Sequence, residues 1–329
     1  MVEKVIIIGS GPAGLSAAIY TARDDFSPLV ISGYAKGGQL ELTTTVENYP
    51  GVIDIQGPEL MKIMRMQAEK FGARFIDKDA TAVDLKSRPF KVAVEEETFE
   101  TDSLIIATGA NAKWLGLESE KKFIGRGVSS CATCDAAFFK GKNVIVVGGG
   151  DTAMEDSLFL TKFANTVTIV HRRDAFRASK IMQERVLSNE KIKVVWNSVV
   201  QEIKGDTKVR SVVLKNIVTN ETSEMPIDGV FVAIGYAPNT KIFSGQLELD
   251  EQGYIVTHDE VKTAIPGVFV GGDVMDKVYK QAGVAAGSGI KCALEVRAYL
   301  AELSYKTNSA GSSASSNSSS NSSSSDNSK

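Results

Sequence analysis

Short apolar runs and helical periodicity alternate along most of this chain. Lys4–Ile8 reads as a buried strand, Gly9–Gly14 as a turn, and Leu15–Asp24 as a helix. Ser103–Ala107 is a second buried strand. Asn143–Val147 repeats the opening pattern: a strand, then Gly148–Asp151, then a helix through about Phe163. Thr166–Val170, Gly229–Ile234 and Gly267–Val270 are further strands, and Gly289–Leu303 is helical. Strands alternating with helices predict α/β layers. The strand–Gly-loop–helix unit starts near residues 4 and 143, which predicts a duplicated binding module rather than a short-period repeat.

The pattern stops at the end of the chain. Residues 307–329 hold 13 Ser and 4 Asn among 23 residues, with no apolar side chain larger than Ala. Such a segment buries too little surface to offset its ordering entropy, so a disordered tail is expected, or a linker to a further domain.

Composition narrows the class. A length of 329 residues fits about two domains. Lys+Arg at 37 against Asp+Glu at 40 gives a net charge of -3, with no basic stripe, so no nucleic-acid partner is expected. No apolar run reaches the roughly 18–20 residues that span a bilayer, and the N-terminus lacks a signal-peptide layout. A cytoplasmic protein without membrane contact is expected. Three Cys do not make a disulfide framework, and two His show no ligand spacing, so no metal is expected.

Three motifs carry chemistry. Gly9-Ser10-Gly11-Pro12-Ala13-Gly14 is a GxGxxG placed after a strand and opening a helix. The first Gly allows the turn, the second admits a pyrophosphate, and the third lets helix and strand pack. The acid that usually reads an NAD ribose is missing, since Val30-Ile31-Ser32-Gly33 occupies that region.

Gly148-Gly149-Gly150-Asp151-Thr152-Ala153 is the GxGxxA form. About 20 residues on, where NAD sites place an acid, stand His171, Arg172 and Arg173, with Arg177 a turn later. Guanidinium groups suit a 2′-phosphate, so this module is expected to prefer NADPH.

Cys131-Ala132-Thr133-Cys134, followed by Asp135, is a CxxC close to βαβ units and reads as a redox pair. Asp135 is the candidate acid/base, or a residue complementing a helix start. Cys292 reads as core, His258 as surface, and Trp114 and Trp196 as packing residues. Two dinucleotide modules and one dithiol imply an electron relay from NADPH through FAD to the disulfide.

At this density of motifs the chain resembles the low-molecular-weight NADPH-dependent thioredoxin reductases, over residues 3–304. The resemblance rests on Gly9–Gly14, Lys36–Leu40, Thr43–Thr45, Glu47–Gly51, Ala107-Thr108-Gly109, Cys131–Asp135, Gly148–Ala153, His171–Arg177 and Gly271–Asp276. It implies two Rossmann-like domains, the NADPH domain inserted into a discontinuous FAD domain. The implied bounds are 1–112 and 242–306 for FAD, 113–241 for NADPH with the CxxC, and 307–329 for the tail.

The resemblance further implies that Ser32, Gly33, Lys36, Gly37, Gly38, Gln39, Asn48, Thr108 and Gly109 line the FAD site. Gly272 would also line the cofactor site, Asp273 would bind the ribityl chain, and Gln281 and Ala282 would lie by the isoalloxazine. Cys134 would face the flavin, Cys131 would attack the disulfide of thioredoxin, and Asp135 would be the acid/base. A homodimer is implied, as is domain rotation between half-reactions, with Asn111–Lys113 and Pro238–Lys241 as hinge candidates. The chain departs from the family at Ala136, where Gly is common, at Lys280, where Arg is common, and at Gly271, where Ala is more frequent. Alternatives are the reductase portion of a fusion and a relative serving another thiol carrier. Ferredoxin-reducing relatives lack the CxxC, dithiol oxidases lack the phosphate arginines, and a non-catalytic flavin-binding protein would be expected to have lost either Cys or a fingerprint Gly, all of which are present.

Overall fold

The computed structural model describes residues 2–43 and 45–316. The chain forms two compact units. One gathers residues up to Glu41, Pro58–Gly109 and the chain from Pro238 onward; the other gathers Leu42–Gly57 and Ala110–Ala237.

In the first unit Val2–Ile8 is the central strand. It pairs in parallel with Leu29–Ile31 on one side and Glu97–Ile106 on the other. Arg74–Ile76 extends the sheet beyond Leu29–Ile31, and Val268–Val270 runs parallel to the end of Glu97–Ile106. An antiparallel pair, Ala80–Asp84 and Phe90–Val94, joins the front of Glu97–Ile106. Alternate side chains serve opposite faces. Ile6, Ile8, Leu104 and Ile106 pack with Phe243 and Leu247, while Val5, Ile7 and Ile105 pack with Ala17, Ala18, Cys292 and Val296. Burial on both faces is why these strands read as continuous apolar runs rather than as alternating ones.

Pro12–Arg23 and Ala282–Ser316 cover the second face, joined there by Ala68 of the helix Gly57–Lys70. The last helix starts seven residues before the expected Gly289, because three glycines in Ala282–Gly289 weaken the local helical signal. Packing overrides that weakness: a Cβ on Gly289 would stand 2.0 Å from the Ala13 carbonyl oxygen, so only glycine lets the helices approach this closely. The helix also continues to Ser316, into the segment expected to be a tail. An established helix propagates at little cost per residue, and Lys306–Ser316 contains no proline to stop it. Residues 317–329 lie outside the described residues.

The second unit repeats the plan. Its parallel sheet runs in the order Val128–Ser129, Gly229–Ala233, Asn143–Gly148, Thr166–Val170 and Ile192–Val195. In both units the strand before a Gly loop lies between its next strand and a late one, the Rossmann arrangement. The helix Asp151–Leu160 ends short of the expected Phe163 in a turn. Three antiparallel strands, Ser198–Gly205, Val209–Asn216 and Thr222–Pro226, were not anticipated. Their alternate apolar residues Val200, Ile203, Val212 and Leu214 join the core formed by Ile145 and Val230.

Each unit ties its own chain crossing. In the first, Thr108 Oγ1 donates to the Asn239 carbonyl at 2.8 Å, and Asn239 Nδ2 donates to the Thr108 carbonyl at 2.8 Å. In the second, the Lys113 amide donates to the Gly235 carbonyl at 2.9 Å. Among the described residues no helix is long and apolar enough to cross a membrane.

Candidate active site

The first Gly loop is shaped by backbone collisions that side chains would cause. Gly9 has φ +114°, and a Cβ there would stand 2.1 Å from the Ala107 carbonyl oxygen; a Cβ on Gly14 would stand 2.0 Å from the Gly9 carbonyl oxygen. Gly11 differs. The nearest atom to its Cβ position is the Gly37 carbonyl oxygen at 3.9 Å, so that position opens onto free space. Pro12 opens the helix, and the first turn holds no acidic residue. The first helical bond runs from the Leu15 amide to the Gly11 carbonyl, which leaves the earlier amides at the mouth, where an anion is favoured.

Ser10 braces this loop. Its buried hydroxyl donates to the Ser32 carbonyl at 2.9 Å and accepts the Gly37 amide at 3.0 Å. It therefore joins the Gly loop, the second strand and the Gly37-Gly38 turn. Lys36 pairs with Asp77 at 2.8 Å, and Arg65 pairs with the same carboxylate at 2.7 Å. The Arg65 hydrogen bonds hold the Asp77 carboxyl down at about 2. Ser32 Oγ is buried without a hydrogen-bond partner, a state that polar groups rarely keep unless a ligand completes them. Gly33 has φ +77°, and Gln39 and Asn48 are exposed, Asn48 in the hairpin of the second unit.

Asp273 follows the Val268–Val270 strand in the first unit. Burial, aided by Asp276, pushes its carboxyl up to about 6. Gly272 beside it donates its amide to Ser288 Oγ at 2.8 Å. Gln281 and Ala282 start the last helix, the Gln281 carbonyl accepting the Ala285 amide. Thr108 and Gly109 stand at the chain crossing, where the Thr108 hydroxyl is engaged with Asn239. The open Gly11 position, the free helix-end amides and the orphaned Ser32 hydroxyl together fit a dinucleotide such as FAD.

The second Gly loop meets the same demands. A Cβ on Gly148 would stand 2.4 Å from the Ala233 carbonyl oxygen and 2.8 Å from the buried Ala153 Cβ. Gly150 caps the Asp151–Leu160 helix, and Thr152 is exposed at its start. The Asp151 carboxylate accepts the Ser179 amide at 2.9 Å, and that bond holds its pKa down. Arg172, Arg173 and Arg177 are exposed, and the Arg177 amide donates to the Gly149 carbonyl at 2.8 Å. His171 behaves differently from the arginines. Its ring is buried, with Nε2 3.1 Å from the Ala175 carbonyl oxygen and Phe176 and Trp196 around it. The arginines thus offer charge at the loop, and the histidine shapes it.

In this same unit Cys131 and Cys134 form a disulfide, with their Cα atoms 5.3 Å apart. Cys131 caps the short helix Ala132–Asp135 and is partly buried; Cys134 is exposed. The Cys131 amide donates to Ser129 Oγ at 3.0 Å. Burial raises the Asp135 pKa, and a hydrogen bond from Ser129 opposes that rise. An acid so placed can give a proton to a departing thiolate. Cys292 lies apart, fully buried in the first unit's core, where burial pushes its thiol far up and leaves it inert. His258 is exposed, and Trp114 and Trp196 pack against cores, as expected.

Sequence reasoning missed two residues, Ser129 and Glu120; Asn239, which ties the chain crossing, falls in the Pro238–Lys241 segment. Glu120 is 1% exposed, and its two carboxylate oxygens accept the Leu115 and Gly116 amides, each at 2.9 Å.

Two dinucleotide modules in one chain, one of them bearing a dithiol/disulfide pair, define a nucleotide-dependent disulfide oxidoreductase. A family model described as pyridine nucleotide-disulphide oxidoreductase matches residues 3–289. A thioredoxin reductase of Rickettsia conorii is 53% identical over 303 residues, 90% of this chain and 98% of that one. One from Streptomyces coelicolor is 50% identical over 307 residues, 92% and 95% of the two chains. The solved thioredoxin reductase from Giardia duodenalis is 45% identical, with a TM-score of 0.87 over 91% of this chain and 98% of that one. The chain belongs to the pyridine nucleotide-disulphide oxidoreductases, in their low-molecular-weight thioredoxin reductase branch, whose cofactors are FAD and NADPH.

Proposed function

We propose that this enzyme passes two electrons from NADPH to the disulfide of thioredoxin through the Cys131–Cys134 pair. The observation that carries this reading is the redox disulfide, followed directly in the chain by the half-buried Asp135, in the unit that also bears Arg172, Arg173 and Arg177. We assign FAD to the unit built on Gly9–Gly14 and NADPH to the unit built on Gly148–Ala153. Bound FAD would supply the two-electron carrier between nicotinamide and disulfide. Ser32, Gly11, Gly37 and Asp273 would hold it, and the three arginines would hold the 2′-phosphate of NADPH.

The exchange chemistry belongs to the chain's own side chains. The Cys131 thiolate attacks a sulfur of the thioredoxin disulfide, that S–S bond breaks, and the expelled thiolate takes a proton from Asp135. The Cys134 thiolate then attacks Cys131, re-forming the internal disulfide and releasing the second thiol, which also takes up a proton. Two electrons and two protons have moved. The family resemblance further supports a homodimer acting in the cytoplasm.

Anaerobic titration tests the reading. NADPH is expected to bleach the flavin and expose two titratable thiols per flavin. Thiols that fail to appear while the flavin is reduced would overturn the route through Cys131 and Cys134.

A further inference from the structure

We propose that Asp77 is a positioning residue for the flavin cofactor: gripped by Arg65, its carboxylate anchors Lys36 and so fixes the Lys36–Gly38 turn, which walls the open space over Gly11. The inference rests on FAD occupying the unit built on Gly9–Gly14.

This turn needs fastening. Gly33, Gly37 and Gly38 stand at φ +77°, +87° and +64°, and backbone so rich in glycine loses much freedom when it is ordered. The turn also lies where the pyrophosphate would pass. The Gly37 carbonyl oxygen is the nearest atom to the Gly11 Cβ position, at 3.9 Å, and the Gly11 Cα is 3.6 Å from the Gly38 Cβ position. A small drift of the turn would therefore widen or fill the space over Gly11.

Backbone bonds to the neighbouring chain fix the first half of this loop. The Ser32 amide donates to the Ile76 carbonyl at 2.8 Å, and the Gly33 amide to the Lys78 carbonyl at 3.1 Å. The second half is held by side chains. Ser10 accepts the Gly37 amide at 3.0 Å, and Asp77 Oδ2 stands 2.8 Å from Lys36 Nζ. Asp77 directly follows the Arg74–Ile76 strand and is itself held by the helix Gly57–Lys70. Arg65 of that helix donates to Asp77 Oδ1 at 2.7 Å and to Oδ2 at 3.4 Å. Arg65 in turn pairs with Glu69 at 2.9 Å and lies over the Phe75 ring, 4.3 Å from its centroid. A forked guanidinium fixes the plane of a carboxylate in a way that a lysine does not. With its pKa held down at about 2, Asp77 presents a full charge to Lys36 at neutral pH. The same helix sets Met61 against the turn, its Cγ 2.9 Å from the Gly37 Cβ position. Helix, strand end and glycine turn thus form one bracket at the mouth of the Gly loop.

The test uses the full-length flavin-loaded enzyme. FAD release after dilution is followed by free-flavin fluorescence for wild type, Asp77→Asn, Lys36→Met, Lys36→Arg, the Asp77→Asn/Lys36→Met double variant and Gly11→Ala. Asp77→Asn and Lys36→Met should each release FAD about three- to fivefold faster, the size expected for one well-oriented ion pair. The double variant should release it no faster than Asp77→Asn does, because the two residues act through one contact. Lys36→Arg, which keeps the charge and the reach, should stay close to wild type. Hydrogen exchange with FAD in excess should quicken across residues 32–40 in Asp77→Asn and Lys36→Met, and stay unchanged in the Val2–Ile8 strand. Release unmoved in Asp77→Asn, or single effects that multiply in the double variant, would overturn the role of Asp77. Exchange that quickens equally in the central strand would overturn it too, by showing that the pair braces the whole fold. Gly11→Ala separates this proposal from the reading beneath it. Faster release there but not in Asp77→Asn overturns the role of Asp77 alone. Wild-type release in Gly11→Ala overturns the placement of FAD in this unit as well.

Discussion

The His171 ring lies directly against Gly149: a Cβ on that glycine would stand 2.2 Å from the ring's Cε1. The ring is thus a wedge under the second Gly loop, held by the Ala175 carbonyl and boxed by Phe176 and Trp196. Burial holds its pKa below the ordinary histidine value, so the ring is neutral at neutral pH. Removing it takes the support from under Gly149 while leaving the arginine side chains intact. His171→Ala is therefore expected to raise KM for NADPH about tenfold, equivalent to about 1.4 kcal/mol, with a smaller effect on kcat and none on flavin content. Steady-state kinetics with varied NADPH checks this; an unchanged KM would show that the loop holds its shape without the wedge.

Gly11 and Gly14 separate two functions of one motif. Gly14→Ala forces a methyl into the Gly9 carbonyl, a backbone clash that no side chain can relieve. That variant should be poorly folded or free of flavin. Gly11→Ala places its methyl in open space, with the nearest atom 3.9 Å away. It should fold, keep the unfolding temperature of flavin-free wild type, and bind FAD at least tenfold more weakly. The flavin-to-protein absorbance ratio and thermal melts distinguish the two. Normal flavin content in Gly11→Ala would mean that the pyrophosphate does not pass over that position.

Asp273 gives a pH signature. Its folded-state pKa of about 6 lies above the ordinary aspartate value of about 4, so the folded protein binds more protons in that window. Stability contributed by the neutral form is fully present below about pH 4 and is lost as pH rises through about 6. In flavin-free protein, Asp273→Asn should therefore melt at a higher temperature than wild type above pH 6, with the difference vanishing near pH 4. The same variant should release FAD faster. A flat difference across that range would mean that Asp273 is not the titrating group.

Much of this was legible in the sequence because the demands are local. Gly9, Gly14 and Gly148 are required by backbone atoms of the same strand–turn–helix unit or its neighbouring strand, so the motif itself carries the information. The apolar runs at Lys4–Ile8 and Asn143–Val147 are legible because both sheet faces are buried. Glu120 was not legible, since its partners are amides of a neighbouring loop and no pattern marks a carboxylate for that use. Ser129 was equally silent, because a serine near a CxxC looks like any turn residue until its register opposite Phe231 is known. The start of the last helix was misjudged because its glycines answer to Ala13, more than two hundred residues away in sequence. His171 was grouped with Arg172 and Arg173 by adjacency, although its ring points into the core and theirs do not.

The central claim is that electrons leave this enzyme through Cys131 and Cys134 to thioredoxin. The most direct measurement is NADPH consumption with a separate thioredoxin as acceptor, run beside a Cys134→Ser control. The account predicts sustained turnover in the wild type and loss of at least a thousandfold in the control, with flavin reduction by NADPH preserved in both. Flavin that is reduced by NADPH yet delivers no electrons to thioredoxin, or turnover that survives Cys134→Ser, would contradict it.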